Sequence, residues 1–301
     1  MKERHSKAIN VRDFLDYILR NFLQLILFSS LVAVIFYFYA STIPNTYVSS
    51  AILKVDHIDN QSNSIVSNGG LLSSLSGFGN AGDKGTTELI KRITSITFYN
   101  ELMEDEDLEV KLAAIKSFDK KNNTAVYDEE IYSKNLKKWV VTNNNERKYS
   151  SQAIFYNFYL QNLSVSIDKD SGLVMIAFEH PSPNFASDFI NELVNELNIV
   201  VANEKINQAQ SRIDYINTII ESNQKDQVKF FLNKMLEEEY KSLLLFAPEN
   251  NKPYKLLDYP VVPEKPSYPN KIIHFILGFF FGLFLLFSYL SFRYVFISSK
   301  A

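Results

Sequence analysis

An α+β fold with one transmembrane helix near each end is predicted by three features of the sequence. Two uncharged apolar runs have membrane-crossing length, alternating segments between them read as strands, and a helical periodicity is sustained from Asn184 to Phe246. No charged residue occurs from Asn21 to Leu53, and Phe22 to Ala40 is almost wholly apolar or aromatic. A helix of about 20 residues rising about 1.5 Å per residue crosses a hydrocarbon layer of roughly 30 Å, so the first crossing is placed at residues 21–41. The second, at residues 272–292, lies between Lys271 and Arg293. A buried core helix of this length would carry a polar stripe, which neither run has. A cleaved signal peptide has a shorter apolar part and a shorter leading segment than Met1–Arg20, so the first run is expected to stay as an anchor.

Orientation follows from basic residues, which are held on the cytoplasmic side of short flanks. Lys2, Arg4, Lys7, Arg12 and Arg20 precede the first run, and Arg293 and Lys300 follow the second; Lys271 alone opposes this pattern. Residues 1–20 and 293–301 are therefore expected in the cytoplasm and residues 42–271 outside it. There is no cysteine, so the outer domain folds without disulfides. With 31 basic against 34 acidic residues, a net charge of −3 argues against a general binder of nucleic acid or anionic lipid.

Within the outer domain, Thr46 to Asp56 alternates, with Tyr47, Ala51, Leu53 and Val55 on one face and Ser50, Ile52 and Lys54 on the other, and reads as a strand. Asn60 to Gly85, rich in Ser, Asn and Gly, is expected to be a mobile loop. Its Gly77-Phe78-Gly79 fragment lacks the Gly-Lys-Ser/Thr of a phosphate cradle. Thr86 to Met103 carries Leu89, Ile93 and Ile96 at helical spacing, which predicts an amphipathic helix capped by Thr86 or Thr87 and ended by the acidic run Glu104–Glu109. That run reads as a solvated surface, since it lacks the loop pattern of a calcium site.

Leu163–Ile167 and Leu173–Phe178 flank the turn-forming string from Asp168 to Gly172 and read as a hairpin. Beyond Pro181 and Pro183 a helical pattern takes over, through Phe185, Phe189, Leu193 and Leu197 to Leu243 and Leu244. Unbroken, the helix of about residues 184–246 would extend roughly 90 Å. Its apolar stripe would then need other copies of the chain, unless a break at Ser222-Asn223 folds the second half back into a helical hairpin. Tyr254–Val262 reads as a strand returning toward the membrane. Pro260, Pro263, Pro266 and Pro269 follow at three-residue steps, a stiff return over residues 260–269.

No constellation for catalysis or metal binding is present. The four histidines, His5, His57, His180 and His274, form no His-Glu-x-x-His helix, and no nucleophile elbow occurs. The predicted catalytic, cofactor and metal sets are therefore empty. A glycosidase needs two flanking carboxylates, but among 34 acidic residues a suitable pair arises by chance. In the second run, Gly278 and Gly282 form a Gly-x-x-x-Gly step that admits close approach of another helix: the first span, a neighbouring copy or a polymerase.

Three stretches carry a family resemblance. Ile9-Asn10-Val11-Arg12-Asp13-Phe14-Leu15 before the first run, Pro44-Asn45-Thr46-Tyr47 just after it, and Glu238-Glu239-Tyr240 with the stretch from Leu257-Asp258-Tyr259-Pro260 to Pro269-Asn270-Lys271 resemble the Wzz family of polysaccharide chain-length determinants, or polysaccharide co-polymerases. The resemblance covers both ends; residues 108–150 match nothing in it. It implies a periplasmic α/β base domain near the inner membrane, a long helix rising from it, homo-oligomeric assembly, and a polymerase acting on lipid-linked glycan as partner. Kinase-bearing relatives carry a phosphate loop and a tyrosine-rich tail. Here only Tyr294 follows Arg293, so the short form without a kinase is expected.

Three functions compete on this reading. A non-enzymatic scaffold would set the length of a surface polysaccharide such as O-antigen lipopolysaccharide. An adaptor would serve capsule or exopolysaccharide export with a separate kinase and an outer-membrane exporter. A two-span periplasmic sensor would need an output module, for which a tail of about ten residues is too small.

Overall fold

The computed structural model describes residues 11–55, 81–141, 149–168, 170–222, 225–246 and 252–298. Most of the stretch expected to be a mobile loop lies outside them, as do His5, His57 and Gly77 to Gly79. The chain divides into two units, Met1–Asn45 with Pro266–Ala301, and Thr46–Lys265.

In chain order the first elements are α1 (Val11–Arg20), α2 (Phe22–Thr42), β1 (Tyr47–Val55), α3 (Ala81–Ile93), α4 (Ile96–Leu102) and α5 (Glu106–Ala114). Two small antiparallel ladders follow, β2 (Ile115–Asp119) with β3 (Thr124–Tyr127), and β4 (Tyr132–Ser133) with β5 (Lys138–Trp139). Next, α6 (Ser151–Ile154) passes through a π-helical turn (Phe155–Tyr159) into α7 (Leu160–Asn162). Then come β6 (Leu163–Ile167), β7 (Val174–His180), α8 (Pro183–Ser222), α9 (Asp226–Phe246), β8 (Tyr254–Asp258) and α10 (Lys271–Ser298).

The unit Thr46–Lys265 is built on an antiparallel sheet of order β6-β7-β1-β8. β1 has the expected alternation: Tyr47, Ser49, Ala51 and Leu53 are buried and Ser50 and Lys54 exposed. β7 repeats it with Val174, Ile176, Phe178 and His180 inward. Sheets with one solvated face show this period of two. Against the buried face lies the first half of α8, through Phe185, Phe189, Ile190, Leu193 and Leu197, all in one core with Leu53 and Ile176. Each such fully buried side chain contributes roughly 1.5–3 kcal/mol of transfer free energy. The β6–β7 turn forms as expected. Gly172 adopts φ +69°, where a side chain is strained, and Asp168 Oδ1 accepts from the Asp170 N–H at 3.0 Å.

Several expectations are corrected here. The helix expected over Thr86–Met103 is two helices. The first starts at Ala81, so Thr86 is an interior, buried residue and Gly82 and Gly85 are helical. The second is capped by Ser95, whose Oγ accepts from the Phe98 N–H at 3.2 Å. A cap hydroxyl satisfies a donor that would otherwise be orphaned, and that fixes the break. The acidic run opens a helix as well as closing one. Asp105 caps α5 by accepting from the Asp107 N–H at 2.9 Å, and Glu106, Asp107 and Glu109 occupy its first turn. Negative charge is favourable there because the helix N-terminus carries partial positive charge. β8 ends at Asp258, short of Val262.

The pattern over 184–246 takes the fold-back alternative: a long helix, α8, is followed by a second helix, α9. α9 returns antiparallel along the second half of α8, burying Ile213 and Ile216 against Leu232 and Leu236. Arg212 Nε reaches Glu239 Oε1 at 2.7 Å across the pair. The periodicity continues on both sides of the break because each helix presents its own stripe to the other.

In the other unit, α2 and α10 are long and apolar enough to cross a membrane, with only 17% and 11% of their most apolar windows buried. Core helices of soluble proteins bury such surface, so the core-helix alternative does not describe them. The two pack antiparallel, α2 presenting Leu25, Ser29, Ala33 and Ala40 as its buried residues.

Candidate functional surfaces

Of the residues singled out in the sequence, Gly278 and Gly282 have the clearest structural reason. A methyl group at Gly278 would come within 2.7 Å of Phe36 Cβ, and one at Gly282 within 2.8 Å of Ser29 Cα. Among the three partners considered for this step, the first span is the one it touches. Ser29 adds no unsatisfied group at the contact, because its hydroxyl donates to the Leu25 carbonyl at 2.7 Å. In a lipid environment such internal satisfaction of polar groups is required.

The proline-rich return is held by side chains rather than by a ladder. Ser187 Oγ of α8 donates to the Pro260 carbonyl at 3.2 Å, Ser49 Oγ of β1 donates to the Val261 carbonyl at 2.9 Å, and Lys120, in the β2–β3 turn, donates to the Glu264 carbonyl. Prolines remove donors from the segment, and the domain grips carbonyls of Pro260, Val261 and Glu264. Pro260 is buried and Pro263 half-buried; in the other unit Pro266 is exposed and Pro269 buried. Upstream, Asn198 of α8 clamps the start of β8. Its Oδ1 accepts from the Tyr254 N–H at 2.9 Å and its Nδ2 donates to the Tyr254 carbonyl at 3.1 Å.

Two features were not legible in the sequence. The first is an acidic groove of about 600 Å³ between α3, α4 and α8, lined by Glu88, Glu101, Glu104, Glu196 and Glu204 among others. Burial raises the Glu196 carboxyl, reinforced by Glu192, Glu104 and Glu101. Arg92 is the main counter-charge, 2.6 Å from Glu204. The carboxylates come from separate segments, which local spacing does not bring together. Among the described residues no group of three His, Cys, Asp or Glu side chains could hold a metal ion.

The second is His180, the last residue of β7, which is 1% exposed. Its Nδ1 accepts from the Ser182 N–H at 3.1 Å, its ring lies 4.5 Å from that of Phe185, and Nε2 meets no hydrogen-bond partner among the described residues. Desolvation lowers its pKa to about 4, so it is a neutral core histidine. His274 lies in the first turn of α10, its Nδ1 at 2.9 Å from the Asn270 carbonyl.

No family model matches the chain, and no curated protein matches it. Among solved structures it is similar to a full-length bacterial polysaccharide co-polymerase, at 15% identity and a TM-score of 0.39, covering 97% of this chain and 100% of that one. It is also similar to a point mutant of a Shigella flexneri lipopolysaccharide O-antigen chain-length regulator, at 13% identity and a TM-score of 0.22, covering 74% of this chain and 100% of that one.

Proposed function

We propose that this chain is a non-enzymatic regulator of the length of a surface polysaccharide, O-antigen lipopolysaccharide or a related polymer. In this reading it acts as a homo-oligomeric scaffold in the bacterial inner membrane beside the polymerase that extends a lipid-linked glycan. One observation carries the reading. Two of the stretches that resemble chain-length determinants, Pro44–Tyr47 and the more specific Leu257–Lys271, lie far apart in the chain, yet they run into and out of β1 and β8. These are hydrogen-bonded neighbours in one sheet, with Leu53 opposite Leu256 and Lys54 opposite Lys255.

The consequence is mechanical. The strand that follows the first span and the strand that leads to the second are hydrogen-bonded side by side, so the two ends of the unit Thr46–Lys265 are held together within its sheet. Both termini would be cytoplasmic and residues 42–271 periplasmic. Along the α8–α9 hairpin, Tyr215, Phe230, Phe231 and Leu244 are exposed, and these are the side chains through which copies would meet. Deleting the gene should leave polymer synthesis running while the length distribution scatters or shifts, as read on a silver-stained gel of the extracted polysaccharide. An unchanged distribution in a strain that makes the polymer would reject the proposal.

A further inference from the structure

α1 has an apolar arc wider than the protein covers. Projected at 100° per residue, Phe14, Leu15, Ile18 and Leu19 share one side of the helix and Arg12, Asp16 and Arg20 the other. One flank of the arc is occupied: the Phe14 ring lies 6.2 Å from Phe287 and 5.4 Å from Tyr294 of α10, and Tyr17 lies 5.4 Å from Tyr294. The other flank is bare, with Leu15 54% and Leu19 66% exposed.

The direction of α1 follows from register. Where α2 packs on α10, Ser29 meets Gly282 and Ala33 meets Gly278. A straight continuation of α2 would keep that register and bring Phe14 opposite Ile297. Instead Phe14 lies against both Phe287 and Tyr294, short of that position, and Tyr17 lies against the same Tyr294, so both rings meet one stretch of α10 rather than successive turns of it. The turn is made at Asn21, whose backbone leaves helical geometry at φ −99° and ψ 10° and whose Nδ2 donates to the Tyr17 carbonyl at 2.8 Å. α1 therefore lies across α10 instead of extending the span.

We propose that α1 is an in-plane membrane anchor. It lies in the headgroup boundary of a phospholipid bilayer, with the Phe14–Tyr17 flank on the α10 aromatics and the Leu15–Leu19 flank among acyl chains. The bilayer is the occupant because the bare flank runs directly into Phe22, Leu23 and Leu27, exposed side chains of the membrane-length helix α2. Helices that lie in the interface have this arrangement, one apolar face sunk about 5–10 Å into the boundary and charges facing water. The two arginines of α1 are matched by two aspartates, so apolar area rather than attraction to anionic lipid holds it. The inference rests on α2 and α10 crossing a bilayer and is independent of any role in polysaccharide synthesis.

The absence of cysteine makes single-site labelling of the full chain direct. Nitroxides at Leu15→Cys, Asp16→Cys, Leu19→Cys and, as a lipid-facing reference, Leu27→Cys would be read in vesicles of phosphatidylethanolamine with phosphatidylglycerol, and again in phosphatidylcholine alone. Positions 15 and 19 should collide more with oxygen than with a water-soluble nickel chelate, and position 16 the reverse. Their depths should be nearly equal, shallower than position 27, and the same in both lipids. Three results would overturn the anchor: chelate access at 15 and 19 matching position 16, protection from both quenchers as under a protein partner, or depth increasing from 15 to 19 by about 6 Å, the rise of an upright helix.

Discussion

His180 shows how one buried side chain couples the unit Thr46–Lys265 to pH. Its folded pKa is about 4 against about 6.5 when unfolded, so below pH 6.5 the unfolded chain binds a proton that the folded chain refuses. Stability is then full above about pH 6.5, falls as the pH drops, and levels off below about pH 4, by about 3 kcal/mol in all. Denaturant melts of the chain at pH 7.5 and pH 4.5 should show this loss, and His180→Phe, which keeps a ring beside Phe178 and Phe185, should remove most of the difference. An equal loss in the variant would assign it elsewhere. Gly282 is the matching case within the span pair. Gly282→Val places carbon within 2.8 Å of the Ser29 backbone, where nothing flexible can yield. Disulfide cross-linking between cysteines at Phe36 and Phe281, whose rings lie 5.9 Å apart, should proceed in the parent and fail in the Gly282→Val background; an unchanged rate would show that the helices do not approach at this step.

Elements differ in how firmly they are held, and the difference can be read from their cores. Behind the sheet, α8 joins a large buried cluster that includes Phe98, Tyr99, Phe155 and Tyr159. Tyr159 donates its hydroxyl to the Ile93 carbonyl at 2.7 Å, and burial raises its phenol pKa. The α8–α9 hairpin rests on a much smaller cluster, centred among the described residues on Ile213, Ile216, Leu232 and Leu236. Local opening is easiest where few apolar contacts must break. Amides of residues 210–240 should therefore exchange with deuterium well before those of β1 and β7, and Leu236→Ala should hasten that exchange by about tenfold or more, from a cavity cost of about 2–5 kcal/mol, without changing the sheet. Exchange of both regions in a single step would mean that the hairpin and the sheet open together.

Across the whole molecule, the testable claim is sidedness. Single cysteines at Tyr149 and Lys225, in the unit between the spans, should react with a membrane-impermeant maleimide once the outer membrane is permeabilised, while one at Arg20 should react only after lysis. Reaction of Tyr149→Cys or Lys225→Cys only after lysis would reverse the assigned topology.

The strands β1 and β8, the β6–β7 hairpin and both apolar helices were legible in the sequence because each is specified by neighbours: alternation, a turn with glycine at a positive φ, and an uncharged run of fixed length; β2 to β5 were not. The break at Ser95 was hidden, since helical spacing persists through a hinge, and the one after Ser222 was legible only as an alternative, since a fold-back leaves the periodicity of each arm intact. The order β6-β7-β1-β8, the grip of Ser49 and Ser187 on the proline-rich return, the acidic groove and the solitary burial of His180 were decided only by tertiary structure. Each depends on which distant segments share a face, and pairing across long loops is set by the fit of whole surfaces rather than by local pattern.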